Sequence, residues 1–204
     1  MSRNDRDVLV SYPEMAELAA AVEGQRLVLD GEIVAFDESG RPSFGRLQSR
    51  MHVADPKQSA RLAGTVPVDY LFFDLLFLDG EDLTGLPYTA RRELLESLEL
   101  RGPRWDTPPY FHGGGADALA VSRVQGLEGI VAKRLDSVYQ PGRRSTDWIK
   151  VKIFRTQEVV IGGWKPGQGN RSRTFGSLLM GIPGEDGLEY VGHVGTGFTE
   201  RILA

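Results

Sequence analysis

The chain has 204 residues, 41% hydrophobic and 25% charged, which supplies a real core for one domain or for one domain and part of a second. It has no cysteine, so disulfides, thiolate zinc sites and cysteine nucleophiles are excluded. Its longest apolar runs, such as Tyr70 to Phe73 and Leu75 to Leu78, are far too short to cross a bilayer, and the first residues lack the order of a secretory signal, so a globular cytoplasmic protein with no membrane partner is expected.

Taken in chain order, Ser11-Tyr12-Pro13-Glu14 has the form of a capping box, and Met15, Leu18, Ala19 and Val22 then repeat at helical spacing up to Gly24. Leu27 to Phe36 predicts a strand closed by Asp37-Glu38-Ser39-Gly40. Val68 to Leu78 predicts a second, mostly buried strand closed by Asp79-Gly80. Arg91 to Leu100 predicts a helix stopped by Gly102-Pro103, and Asp117 to Gln125 another. Strands follow at Gly129 to Leu135 and Trp148 to Phe154, joined by the loop Gln140-Pro141-Gly142-Arg143-Arg144-Ser145. Beyond Phe154 the texture becomes a glycine-rich alternation, in Val159 to Trp164, Ser177 to Gly181 and Tyr190 to Val194, that predicts a small β domain with its boundary near Arg155. Three such strands are too few to close a barrel and leave an unpaired edge.

The net charge of −4 is unevenly placed: Lys133 to Arg173 holds ten Lys or Arg against Asp136, Asp147 and Glu158, a local +7 that leaves −11 for the remainder. Such a segment suits phosphates of a nucleotide or a backbone, with a solvated charged face as the plainer account.

Several side chains within these elements have chemical potential. In Leu29-Asp30-Gly31-Glu32-Ile33-Val34-Ala35-Phe36, strict alternation turns Asp30, Glu32, Val34 and Phe36 to one face. Glu32 is then either part of a half-exposed strand or a carboxylate for a ribose hydroxyl or a magnesium ion. Glu128, at the mouth of the strand Gly129-Ile130-Val131-Ala132-Lys133, is placed to hold a metal over phosphates. Alternation puts Lys133 on the opposite face, where an exposed strand lysine is the competing account. In Trp148-Ile149-Lys150-Val151-Lys152-Ile153 the period of two sends both lysines to one face, roughly 7 Å apart along a strand. A phosphate chain would relieve their repulsion, and in nucleotidyl transfer such cations stabilise charge building on the oxygens. An edge guarded by lysines against aggregation is the alternative. Phe73 is either core or a surface for stacking a base. Arg143, Arg144 and the Ser145 hydroxyl sit in a Gly/Pro loop suited to a phosphate. His52, His112 and His193 have no partner spacing for a metal site or a triad.

Five runs in this order resemble the ATP-dependent DNA ligases, in particular the ligase module of bacterial non-homologous end-joining enzymes. They are Leu29 to Phe36 with Pro42-Ser43-Phe44 and Leu47-Gln48, Phe73-Asp74-Leu75-Leu76, Glu128 to Lys133, Trp148 to Lys152, and Gly192-His193-Val194-Gly195-Thr196-Gly197-Phe198. The resemblance implies an α+β fold. Residues 1–154 would be a partial nucleotidyltransferase (adenylation) domain of antiparallel sheets with flanking helices, and residues 155–204 the opening part of an incomplete OB-fold β-barrel. It implies ATP and Mg2+ (or Mn2+) as cofactors, with Glu32 near the ribose, Phe73 on adenine, Glu128 and Glu32 toward the metal, and Lys133, Lys150 and Lys152 at the nucleotide, the last two on the α-phosphate. Arg3, beside Ser2, and Arg143 and Arg144 would meet DNA. The implied partners are nicked or broken duplex DNA, and an end-binding protein and a polymerase module of end joining, for a monomeric enzyme of the cytoplasm and nucleoid. The family's nucleophile, the lysine of a Lys-x-Asp-Gly motif, has no counterpart, since the first lysine is Lys57. The basic and aromatic segment that ends the family's OB-fold is also missing. The expectation is therefore a ligase fragment, truncated at both ends and unable alone to form lysyl-AMP. An RNA ligase or capping-type nucleotidyltransferase and a non-catalytic nucleic-acid-binding remnant are the alternatives.

Overall fold

The computed structural model describes residues 6–22, 24–154, 156–199 and Ile202. The chain divides into two compact units between Ile153 and Phe154. The expected DNA contacts Ser2 and Arg3, and the expected boundary residue Arg155, lie outside the described residues.

In the first unit, helix α1 spans Met15–Ala21, but the residues before it do not form a capping box. Glu14, at the N-cap position, has helical dihedrals and no capping hydrogen bond. Its carboxylate instead accepts two hydrogen bonds, of 2.8 and 2.9 Å, from the fully buried guanidinium of Arg50, while the Ser11 hydroxyl donates to the Val53 carbonyl at 2.8 Å. A buried guanidinium without its carboxylate would be far costlier than an uncapped helix end exposed to water, so the distant partner wins.

Strand β1, Leu27–Val34, pairs antiparallel with β2, Asp69–Leu78. The register slips between Val28 and Leu29 and between Asp30 and Gly31, which leaves Leu76 and Phe73 unmatched on β2. Both extra residues lie on β2, and a bulged residue such as Phe73 is re-aimed out of the regular pleat. A two-residue turn, Asp79 and Gly80, both with positive φ, returns the chain into β3, Glu81–Asp82. The short β4, Trp105–Asp106, departs from the expected antiparallel pattern by pairing parallel to β2.

Two short helices fall where no apolar periodicity marks them, α2 at Phe44–Gln48 and α3 at Pro56–Thr65. Their caps do mark them: Ser43 accepts from the Arg46 amide, and Asp55 accepts from Lys57 with Pro56 opening the first turn. Helix α4 spans Tyr88–Ser97, three residues earlier than the hydrophobic spacing suggested, and beyond it Glu99 takes a φ of 48°. It covers β2, and Phe72, Leu75, Leu83, Leu95, Leu100 and Trp105 close the main core between them. A second cluster gathers Tyr12, Ala35 and Val68. Helix α5, Gly115–Val124, leads to an antiparallel hairpin of β5, Gly129–Lys133, and β6, Trp148–Lys152, each two residues shorter than expected.

The second unit is one antiparallel sheet in the order β7 (Val160–Pro166), β8 (Phe175–Gly184), β9 (Gly187–Val194), with a 3-10 turn at Gly169–Arg171. Among the described residues, no helix is long and apolar enough to cross a membrane.

Candidate functional site

The β5–β6 register decides which charges share a face. Lys133 lies opposite Trp148, Val131 opposite Lys150 and Gly129 opposite Lys152. Because directly paired residues project to the same side of a ladder, Lys133, Lys150 and Lys152 occupy one face. The Glu128 carboxylate reaches Lys150 at 3.5 Å. The phase breaks at Gly129, whose φ is 146° and whose pro-side-chain position would collide with the Val151 carbonyl; only glycine fits there. Lys150 and Glu128 are both largely exposed, and Lys152 is exposed with no ion-pair partner among the described residues, so this face can accept an anion without first breaking a buried bond.

Lys133 is not the exposed strand lysine that alternation allowed. Its ammonium lies 3.9 Å from the Trp148 ring centroid and 4.6 Å from that of Tyr88, within reach of a cation–π interaction with both. Burial lowers its pKa from 10.5 to about 8, against the opposing pull of Asp74 and Asp30. Trp148 also meets Tyr88 and Tyr139 edge to face, at 6.3 and 5.5 Å, and donates from its indole nitrogen to Ser137 at 3.2 Å.

This aromatic cluster ties the hairpin to the β1–β2 ladder. The Tyr139 hydroxyl donates to Asp30 at 3.1 Å. Arg91 of α4 makes a bidentate pair with Asp74 of β2 at 2.8 and 2.9 Å, with both side chains fully buried, and also donates to the carbonyls of Leu86 and Ser137. The same guanidinium lies 5.8 Å from the ring centroids of Tyr88 and of Tyr139. Burial, then Asp30, pushes the Tyr139 phenol up to about 12, so it stays a donor through the physiological range.

Glu32, exposed on β1, stands two residues beyond Asp30, and Phe73 stands next to Asp74. Phe73 is half-buried and belongs to neither core cluster, unlike its neighbour Phe72. The structure thus places two of the expected residues on the β1–β2 ladder and four on the hairpin, with the Tyr139–Trp148–Lys133 cluster between. Sequence reasoning missed Tyr139, Tyr88 and Arg91. The available signal was that a buried arginine needs a carboxylate, and Asp74 within an apolar strand is that carboxylate.

Arg143 and Arg144 are exposed in the connecting loop, and Arg143 lines a shallow depression with Val138, Tyr139, Gln140 and Pro141. Ser145 is not available as expected: its hydroxyl donates to the Asp147 carboxylate at 2.8 Å and accepts from the Asp147 amide at 2.9 Å. His193 pairs with the Tyr190 hydroxyl at 3.0 Å. No group of three His, Asp or Glu among the described residues could cage a metal by itself. A single carboxylate such as Glu128 beside a cationic face nevertheless suits Mg2+, which takes one or two protein carboxylates and completes its shell with substrate phosphates and water.

The family described as the ATP dependent DNA ligase domain matches residues 1–152, and the chain belongs to this family. It is 48% identical over 203 residues to the multifunctional non-homologous end joining protein LigD of Mycolicibacterium smegmatis, covering 100% of this chain and 25% of that protein. It is 37% identical over 207 residues to a probable DNA ligase of Streptomyces avermitilis, covering 97% of this chain and 39% of that protein. The crystal structure of the ligase domain from M. tuberculosis LigD matches with a TM-score of 0.65 and 48% identity, over 99% of this chain and 61% of that one. A mycobacterial DNA ligase D complexed with ATP and MES matches with a TM-score of 0.66 and 46% identity over the same shares. The chain therefore spans a quarter of the length of the LigD protein and 61% of the ligase chains it matches. The α+β architecture of antiparallel sheets with few helices is the one these ligase domains share.

Proposed function

We propose that the first unit is the nucleotide pocket of an ATP-dependent DNA ligase of the end-joining type, binding ATP between the β1–β2 ladder and the β5–β6 hairpin. The observation that carries this reading is the register that sets Lys133, Lys150 and Lys152 on one face with Glu128 beside Lys150. Three cations on one face repel unless an anion joins them, and a triphosphate is such an anion. Lys150 and Lys152 hold the α-phosphate and stabilise the charge that builds on its oxygens during nucleotidyl transfer. Phe73 stacks on adenine, and Glu32 accepts from the ribose or joins Glu128 near the metal. Glu128 would hold Mg2+ (or Mn2+), which supplies charge neutralisation on the phosphates.

The intact enzyme moves AMP from ATP to a lysine, releasing pyrophosphate, and then to a 5′-phosphate; a 3′-hydroxyl finally attacks that phosphate and displaces AMP, forming the bond that seals the nick in DNA repair. Arg143 and Arg144 face the DNA backbone, and the second unit is the opening strands of an OB-fold. Its end-joining partners would be an end-binding protein and a polymerase module, a reading supported by the likeness to proteins named for non-homologous end joining. No Lys-x-Asp-Gly run occurs in the 204 residues, so this polypeptide by itself binds ATP without forming lysyl-AMP. Incubation with ATP labelled on its α-phosphate, followed by acid and denaturing electrophoresis, is expected to leave the protein unlabelled. A labelled band would show that another lysine serves as nucleophile.

A further inference from the structure

Tyr139 has no place in the phosphate, ribose or adenine assignments, yet it is held on several sides between the two sheets. Its amide donates to the Thr84 carbonyl at 2.9 Å, and its ring stands edge to face against Trp148 at 5.5 Å. On another side the Arg91 guanidinium lies 5.8 Å from its centroid, and its hydroxyl donates to Asp30 at 3.1 Å. Asp30 is two residues from Glu32 on β1, and Trp148 is two residues from Lys150 on β6. One side chain thus ties the strand of the ribose carboxylate to the strand of the phosphate lysines. Trp148 anchors on the same segment, through its bond to Ser137.

Resting on the nucleotide reading above, we propose that Tyr139 is a positioning residue: its hydrogen bond to Asp30 fixes the separation between Glu32 and the Lys150–Lys152 face, and so tunes the pocket to ligands that touch both sheets at once. A ligand confined to one sheet does not depend on that separation, whereas ATP, whose ribose and phosphates are covalently linked, does.

Tyr139→Phe keeps the ring against Trp148 and removes only the hydroxyl. The test titrates the 204-residue chain and this variant with three probes: ATP, adenosine and inorganic tripolyphosphate. The expected result is about a tenfold loss of ATP affinity, the size of one hydrogen bond to a charged group, with both half-ligands changed by less than about twofold and the thermal midpoint nearly unchanged. In a double-mutant cycle, Asp30→Ala combined with Tyr139→Phe should weaken ATP no more than the stronger single change, because both remove the same bond. Equal losses for all three probes would reduce Tyr139 to a purely structural residue, and an unchanged ATP affinity would remove its role altogether. A wild-type chain that bound none of the probes would overturn the proposal together with the nucleotide reading beneath it.

Discussion

The two units spend their apolar residues differently. Every buried hydrophobic side chain identified lies between Tyr12 and Ala118, where Phe72, Leu75, Val68 and Leu95 reach zero exposure and two guanidiniums, Arg50 and Arg91, are fully buried against carboxylates. In the second unit the described strands leave Ile161, Trp164, Leu188, Tyr190 and Val191 exposed, and only Ser177 and Gly181 are buried. A three-stranded sheet is near the limit of independent stability, whereas a larger ladder covered by a helix is well above it. The first unit thus has the rigidity that a preorganised charged face needs, and the candidate chemistry is found there.

This contrast predicts unequal responses to mutation. Arg91→Ala leaves Asp74 buried and unpaired, and urea denaturation should show a loss of about 3–5 kcal/mol; Leu178→Ala in the second unit should cost about 1 kcal/mol or less. Similar losses from both would show that the second unit is as tightly built as the first.

Lys133→Met makes a smaller and pH-dependent change. The folded pKa of about 8 lies below the ordinary 10.5, so between those values the unfolded chain binds more protons and stability rises with pH. The cost of holding the ammonium is full below pH 8 and is relieved as pH climbs toward 10.5. Methionine removes that cost, so thermal melts should show the variant's advantage over wild type largest at neutral pH and shrinking above pH 8. The charged neighbours Asp30, Asp74, Arg91 and Arg92 are common to both proteins, and the comparison isolates Lys133. An advantage that stayed constant across this range would contradict the caged amine.

Much of this was legible in the sequence. The β1, β5 and β6 segments announced themselves by β-branched residues and β2 by its aromatic and leucine run, and the period of two in Trp148 to Lys152 gave the face of the two lysines directly. What escaped was long-range. Ser11 and Glu14 have the local pattern of a capping box, and only the fold supplies Arg50 as the stronger partner. Alternation along Glu128 to Lys133 put Lys133 on the face opposite Glu128, and only pairing with β6 set it beside Trp148. The bulge at Phe73 is likewise a property of two strands together and has no signature in either alone.

The central claim is that the hairpin's cationic face is a nucleotide-phosphate site. Calorimetric titration of ATP with Mg2+ into the chain and into Lys150→Ala/Lys152→Ala tests it most directly. A saturable isotherm weakened at least about tenfold in the double variant, as expected for losing two charge-assisted contacts, is the predicted result, and equal binding by both proteins would contradict it.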